Sequence, residues 1–396
     1  MRKKNIPVIG IGASAGGLEP LEQFFHKVSD NSGYAYIVIQ HLAPDYKSLM
    51  DELLARHTNL PIKIIEDGIK IEPDTIYLNP PKYSVSIISN HLYLKEKVDR
   101  KLSFPITTFM QSLAEDKKEE SAGIILSGTG SDGADGIKFI KEKGGIVLVQ
   151  DPETAKFNGM PKNAIHTGAV DKICEVGQMP LELDLFFKSH EKLLKIDFNK
   201  EENSHLINQI LQEVKRHTKI DFTGYKYSTI YRRTVKRMGL QGNKELEKYY
   251  QYICDNSEES DLLAKELLVG VTRFFRDQET FHVINEEVIP QIIEQASESR
   301  NIRIWVPACS SGEEAYSIAI LLKEYLKKNK LQYDVKIFAT DLDVDAIRMA
   351  GNQIFPESIS TEVHPYLLNA YFIPTKGGYR VAKEIRDMIT FSVHNL

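Results

Sequence analysis

Cysteine is scarce in this 396-residue chain: only Cys174, Cys254 and Cys309 occur, far apart and with no CxxC pair. That excludes a disulfide framework and a thiolate metal site, and reads as reduced thiols in a cytoplasmic protein. Long apolar runs are missing too. Without a stretch of ~18 apolar residues, no membrane span is expected. The opening MRKKNIPVIGIGASAGG places cations before an apolar run, but the run breaks into glycines after a few residues, which excludes an export signal. Charge of one sign is not in excess either. The 50 Lys and Arg against 55 Asp and Glu leave a net charge of -5, which carries no global nucleic-acid signature. Internal repeats and low-complexity tracts are also absent.

What is present is a globular balance of 42% hydrophobic and 27% charged residues, in a length that implies two or three domains. Residues 1–185 alternate β-branched runs (IPVIGIG, YAYIVIQ, IKIIE, TIYLNP, SAGIILSG, GGIVLVQ) with amphipathic segments such as LEPLEQFFHKV and SFPITTFMQSLAEDKKEE. Strands apolar on both faces, alternating with helices, predict a parallel, doubly wound α/β domain. Residues 186–204 lose the strands and read as a helix and linker. From 205 to 290 only helical periodicity remains. There Leu206, Ile207, Ile210, Leu211 and Val214 recur at three- and four-residue steps, as one buried face requires, so an all-α domain is expected. Over 291–396 the alternation resumes with IRIWVPA, SIAILLKEYLKK, DVKIFATDLD and DAIRMAGNQIF. About two and a half βα units cannot cover both faces of a sheet, so this Rossmann-like domain is expected to be partial and unstable alone, or paired with a second copy through its open sheet.

The first strand–turn–helix, VIGIGASAGGLEPL, admits two chemistries. Its glycines suit a nucleotide phosphate; a serine centred in Gly12-Ala13-Ser14-Ala15-Gly16 suits a nucleophile. A dinucleotide fold needs an acid at the end of its second strand to hold ribose hydroxyls. Here YAYIVIQ ends in Gln40 and His41, so phosphate binding loses ground. G-x-S-x-G on such a turn lets small neighbours bend the backbone and lift Oγ from the carboxyl edge of the sheet. The amide after the serine, at a helix start, can donate to an oxyanion. His41 stands at the tip of the next strand, and SDGADG after a further strand offers Asp132 and Asp135. Singly, these residues also fit a tight turn, a loop histidine and a helix N-cap. Jointly, three strand ends would deliver Ser, His and Asp to one crevice.

GIGASAGGLEPL, VIQHLAPDYKSLMDELL, ILSGTGSDGADGI and QDPETAKFNGMPKNAI, in that order between residues 6 and 185, resemble the chemotaxis protein-glutamate methylesterases. The resemblance implies Ser14 as nucleophile, His41 as base and Asp132 as orienting acid. It also implies oxyanion amides around Ala15 and Thr129, and a site-closing loop at Met160-Pro161. The order Ser…His…Asp differs from the Ser…Asp…His of α/β-hydrolases. Ala15 and Thr129 stand where Thr and Met are common in the family, which implies tuning and not loss. The family's receiver domain does not precede the first strand, so phosphorylation of this chain is not expected to be its switch.

YKYSTIYRRTVKR carries Lys226, Arg232, Arg233, Lys236 and Arg237 on one helix, with 232/236 and 233/237 at i,i+4. Like charges so spaced repel, so the face awaits an acidic partner or is simply solvated. Nucleic acid is disfavoured by the acidic chain and the lack of a binding fold. Further on, WVPACSSGEEAYSIAILL is a glycine turn opening a helix at Glu313 and Glu314, and DVKIFATDLD ends its strand in Asp341. An acid there suits ribose hydroxyls, and Glu313 suits an ammonium, which together point to S-adenosylmethionine. GVTRFFRDQETF, WVPACSSGEEAYSIAILL, FATDLDVDAI and FSVHNL resemble the chemotaxis receptor methyltransferases, from 205 to the end. That resemblance implies contacts to S-adenosylmethionine or S-adenosylhomocysteine at Thr272, Arg276, Glu313, Asp341 and Asn395. It makes Arg232, Arg233, Lys236 and Arg237 the receptor-facing element. The family's later strands do not follow within this sequence, so methyl transfer is expected to be absent or feeble.

The combined expectation is hydrolysis of glutamate methyl esters, and of glutamine side-chain amides, on a methyl-accepting chemoreceptor. The esterase is expected to need no cofactor or metal, and the chain to touch neither nucleic acid nor the membrane interior. Two rivals stand: a receptor-docking scaffold with vestigial sites, and a general serine esterase of small substrates. Ser14 Oγ out of hydrogen-bond reach of His41 would favour the scaffold.

Overall fold

The computed structural model describes residues 6–41, 49–97, 103–193, 201–243, 245–268, 270–375 and 378–395. Two compact units divide it, Met1–Val269 and Gly270–Leu396.

The first unit begins with β1 (Val8–Ala13), α1 (Leu18–Lys27), β2 (Ala35–Gln40), α2 (Met50–Leu54) and β3 (Ile62–Ile64). There follow β4 (Ile69–Lys70), β5 (Thr75–Leu78), β6 (Tyr83–Ile88), β7 (His91–Glu96) and α3 (Pro105–Lys117). Next come β8 (Ser121–Ile125), α4 (Ala134–Glu142), β9 (Ile146–Gln150), α5 (Gly159–His166), β10 (Lys172–Cys174) and α6 (Met179–Leu193). Seven strands form one parallel sheet in the order β10-β9-β8-β1-β2-β5-β3. Every residue of β1, β2, β8 and β9 is buried, as the runs apolar on both faces require. One face packs Phe24, Phe25, Met179, Leu183 and Phe186 of α1 and α6; the other packs Ile106, Phe109, Met110, Ile137 and Ile140 of α3 and α4. Gly12 in β1 answers to this packing. A Cβ there would lie 2.5 Å from Ile106 Cγ2, so the glycine admits α3 and not a phosphate.

β4, β7 and β6 make a separate antiparallel sheet that the sequence reading did not anticipate. SVSIISNHLYLK has polar residues at alternate positions on a half-exposed hairpin, a weaker signal than the fully apolar core strands.

Four helices complete the first unit: α7 (Glu201–Thr218), α8 (Tyr227–Leu240), α9 (Leu246–Asp255) and α10 (Ser257–Leu267). Ile207, Ile210, Leu211 and Val214 line their shared core, as the periodicity of that segment requires.

The second unit starts at Gly270, whereas the sequence pattern placed the domain change at 290/291. Helical spacing runs on through α11 (Gln278–Val283) and α12 (Ile289–Gln295), but Phe274, Ile289 and Ile293 pack into the C-terminal core. Periodicity reports a buried face without reporting which core buries it. The remaining elements are β11 (Asn301–Pro307), α13 (Glu313–Lys328), β12 (Asp334–Asp341), α14 (Val344–Asn352), β13 (Ile354–Phe355) and α15 (Pro365–Tyr371). They end with β14 (Phe372–Thr375), β15 (Gly378–Val381), α16 (Lys383–Arg386) and β16 (Ile389–Val393). β11, β12 and β16 form a parallel three-stranded sheet, while β13, β15 and β14 form an antiparallel one. Trp305 and Phe338 are register partners on the open face of the parallel sheet, 55% and 47% exposed.

Candidate active site

In the first unit β1 lies between β2 and β8, the point where the winding of the sheet reverses, and open α/β sheets form their crevice at the carboxyl ends there. Ser14 follows β1, and its N–H donates to Ser127 O at 3.0 Å, which ties it to the loop after β8. His41 follows β2. The Asn79 side-chain amide holds both backbone groups of Gln40, accepting at 2.8 Å and donating at 3.1 Å, and so fixes the residue before it. Asp132 lies in the turn that opens α4.

These strand ends converge. Ser14 Oγ lies 3.4 Å from His41 Nδ1, and His41 Nε2 lies 2.8 Å from Asp132 Oδ2. With Asp132 accepting from Nε2, Nδ1 is left to accept the serine proton; chymotrypsin-type triads use the two ring nitrogens the other way round. The Asp132 side chain is only 2% exposed, against 35% for His41. Its charge is met by the first turn of α3: Ile106 N–H donates to Oδ2 and Thr107 N–H to Oδ1, both at 2.9 Å. The helix dipole favours an anion at that end. Thr107 Oγ1 also accepts from Gly133 N–H at 2.9 Å, fixing the turn beyond the acid. Asp135, the other acid of this loop, pairs with Lys138 at 2.9 Å and takes no part.

The turn itself is less strained than a nucleophile elbow suggests. Gly16, at φ +71°, carries its left-handed residue; Ser14 does not. Ala15 and Thr129 are exposed at the rim, and among the described residues no backbone acceptor holds their amides, which suits both to donate to an oxyanion. Met160 is different. Its N–H is committed to Gly128 O at 2.9 Å and its side chain is buried, so its amide does not join the oxyanion donors. It wedges beneath Gly128, where a Cβ would meet Met160 Sδ at 2.1 Å and Ser14 Cβ at 2.9 Å. Gly128→Ala should therefore push Ser14 off its mark. A displacement near 1 Å costs about 10²-fold in turnover, which steady-state kinetics on a variant with unchanged circular dichroism would detect.

Sequence reasoning missed Asn79, Thr107 and the Ser127–Gln150 pair, in which Gln150 Oε1 accepts from Ser127 N–H at 2.8 Å. Only Phe104-Pro105 gave a signal, since Pro at a first helical position marks the N-terminus that receives Asp132.

In the second unit, the expected cofactor residues gather at the carboxyl ends of β11 and β12. Asp341 Oδ2 accepts from Ser310 N–H at 2.7 Å and Oδ1 from Asp343 N–H at 2.9 Å, which leaves a lone pair on each oxygen. Glu313 is buried at the start of α13 and accepts from Ser311 Oγ at 2.7 Å. Ser310 Oγ donates to Gly270 O at 3.1 Å, and Arg276 Nη1 donates to Val271 O at 2.6 Å, so the segment bearing Thr272 and Arg276 is tied to the same loop. His394 N–H donates to Asp341 O at 3.0 Å, and Asn395 follows it at the surface. Two carboxylates set this way fit a ribose and an ammonium group.

The basic helix is a correction. Arg233, Lys236 and Arg237 on α8 are 5%, 1% and 7% exposed, and Arg232 pairs with Glu119 at 3.6 Å. Arg237 donates to both oxygens of Glu259, at 2.9 and 2.7 Å. Arg233, Lys236 and Arg237 therefore do not make a partner-facing surface, and only Arg232, 39% exposed, stays half in solvent, because i,i+4 spacing gives a shared face and not the side of the helix left to solvent. Among the described residues no helix is long and apolar enough to cross a membrane, and no cluster could hold a metal ion.

Three family models match consecutive parts of the chain: CheB methylesterase over residues 9–183, the all-alpha domain of CheR methyltransferase over 205–268, and the SAM binding domain of CheR methyltransferase over 270–396. An uncharacterized 104.1 kDa protein of Rhodobacter capsulatus is 31% identical over 369 residues, covering 88% of this chain and 39% of its own length. The chain thus spans about two fifths of that relative. A chemotaxis protein methyltransferase of Borreliella burgdorferi is 31% identical over 208 residues, covering 51% of this chain and 72% of its own. A putative protein-glutamate methylesterase/protein-glutamine glutaminase of Leptospira interrogans is 30% identical over 187 residues, covering 46% and 96%.

Proposed function

Since the chain belongs to the CheB methylesterase family through its first domain and to the CheR methyltransferase family through the rest, we propose that its first site hydrolyses methyl esters of protein glutamyl side chains. The Ser14–His41–Asp132 relay at the switch point of the sheet carries this reading. Ser14 Oγ attacks the ester carbonyl carbon while His41 Nδ1 takes its proton. Amides of Ala15 and Thr129 receive the developing oxyanion, as preset donors aimed at the charge that builds in the transition state. The imidazolium returns the proton to the departing methoxide, methanol leaves, and water, deprotonated by the same nitrogen, releases the glutamate. Glutamine side chains differ only in their leaving group, ammonia, and the same residues serve. The substrate is a methyl-accepting chemoreceptor or a related signalling protein. Methanol release from a methylated receptor fragment by the intact chain tests the reading. Release from p-nitrophenyl esters alone would replace it with a general esterase.

For the second unit, we infer a site for S-adenosylmethionine and S-adenosylhomocysteine, in which Asp341 holds the ribose hydroxyls and Glu313 the ammonium. Thr272, Arg276 and Asn395 would line the remainder. When bound, the cofactor supplies a transferable methyl group. Calorimetric titration with S-adenosylhomocysteine should give saturable heat. Asp341→Asn should weaken binding about tenfold or more, because a hydrogen bond to a charged group contributes ~1.5–3 kcal/mol. A flat trace with the unsubstituted chain overturns the assignment.

A further inference from the structure

The cations of α8 are not idle. Arg233 Nη1 donates to Lys141 O at 2.8 Å and to Glu266 Oε1 at 2.9 Å, while Nη2 donates to Glu142 O at 3.0 Å. Lys236 Nζ lies 3.0 Å from Asp171 Oδ2 and 3.5 Å from Glu266 Oε1. Lys141 Nζ lies 2.5 Å from Asp171 Oδ1 and also donates to Glu266. Asp171 in turn accepts from Val147 N–H, at the start of β9, at 2.8 Å. All five side chains are nearly excluded from solvent.

The pairing is crossed. Lys141 and Asp171 come from the α/β domain; Arg233, Lys236 and Glu266 come from the four-helix domain. Each domain presents both signs: Lys141 pairs with Glu266 and Lys236 with Asp171 across the boundary, while Arg233, paired with Glu266 on its own domain, crosses it to the carbonyls of Lys141 and Glu142. Alongside, Gly239 of α8 packs on α6, where a Cβ would make ordinary contact with Phe186 Cδ2 at 3.6 Å. Taking three cations and two carboxylates out of water is costly, and their mutual pairing together with the backbone groups of Lys141, Glu142 and Val147 offsets it. A helix kept for passing partners would leave its cations solvated, as α7 leaves Arg216, 73% exposed.

We propose that the four-helix domain is a permanent structural subunit of the hydrolase. Its basic helix is docked on an acidic and basic patch of the α/β domain at the start of β9 and the end of α4, and is not held out to an acidic partner. Asp171 and Glu266 occupy the place that an acidic partner would take. Two consequences follow. A signalling partner must bind this body elsewhere. Both domains also approach it in a fixed mutual arrangement, and this holds whether or not Ser14 is a nucleophile.

The cluster has an uneven charge count, and that gives the test its signature. Three cations face two carboxylates, so neutralising a carboxylate worsens the imbalance, whereas neutralising Lys236 removes it. A specific protease site placed between residues 193 and 201 of the full chain, cleaved in the native state, should leave two fragments that co-elute on size exclusion. Separation of the unsubstituted fragments overturns the proposal. Glu266→Gln and Asp171→Asn, both close to isosteric, should raise the dissociation constant of the cleaved pair at least tenfold, and Lys236→Met should not. If both carboxylate variants dock as tightly as the unsubstituted pair, the ion cluster is not what holds the domains and the proposal falls. Should one variant fail to fold, the other carries the comparison, since their carboxylates lie on different domains.

Discussion

Replacing Ser14 with alanine is expected to lower methanol release by about 10⁴- to 10⁶-fold, with little change in KM, because the nucleophile acts after binding. Asp132→Asn should cost about 10⁴-fold for a different reason. Asp132 accepts three hydrogen bonds, from His41 and from the amides of Ile106 and Thr107. Asparagine has one accepting oxygen and two N–H donors, so it cannot accept from all three. If its NH₂ turns to His41, Nε2 must become the acceptor and Nδ1 the donor. The imidazole then faces Ser14 with a proton where a lone pair is needed. The double variant should be no slower than Ser14→Ala, since members of one relay are not additive. Single-turnover methanol assays on the three variants check this. A Ser14→Ala rate within about tenfold of the unsubstituted one would remove the relay from the mechanism.

Glu266→Gln is expected to give the largest loss of stability. It leaves Lys141 and Lys236 sharing Asp171 and Arg233 with backbone carbonyls alone, and breaking a buried pair by removing one partner costs ~3–5 kcal/mol. For a unit of this size that lowers the midpoint of thermal unfolding by about 10 °C. Lys236→Met should be neutral or stabilising, because it balances the cluster and adds apolar contact. Calorimetry on both variants separates them by sign.

The pH dependence of unfolding follows from the same charges. Burial opposes the charge of Glu266, but Lys141, Lys236 and Arg233 together hold its carboxyl far below the ordinary 4.5. A depressed carboxylate contributes stability above its unfolded pKa and loses it as pH falls, so acid should loosen the first unit below about pH 4.5. Glu266→Gln should flatten that limb. Lys236 has the opposite sense. Burial first, against the pull of Asp171 and Glu266, draws it from 10.5 down to about 8. Its penalty is fully present below pH 8 and is relieved between 8 and 10.5. Lys141, raised by Asp171 and Glu266 against burial, keeps its contribution until pH exceeds 10.5.

The relay was legible because a parallel sheet imposes it. Residues that follow parallel strands all emerge at one edge, so Ser14, His41 and Asp132 needed only correct strand assignments to be placed together. YAYIVIQ and SAGIILSG are unambiguous, and both are buried throughout their strands. What held those residues was not legible. Asn79 clamps Gln40 from β5, and Thr107 reaches the acid from α3, and neither lies in a motif. Nor was it legible whether the Met160 amide is a free donor or is committed within the fold, since the same motif serves both. Only its bond to Gly128 O distinguishes them.

The sequence by itself determined the parallel sheet, the helical domain after it and the strand ends at which Ser14, His41 and Asp132 meet, because hydrophobic period and strand-end position are local properties. The tertiary structure alone decided where the basic helix points. Lys141 and Glu266 meet across 125 positions of chain, and which face of α8 loses water depends on that meeting. Periodicity records that charges share a face, whereas burial of that face is settled by partners that no local pattern names.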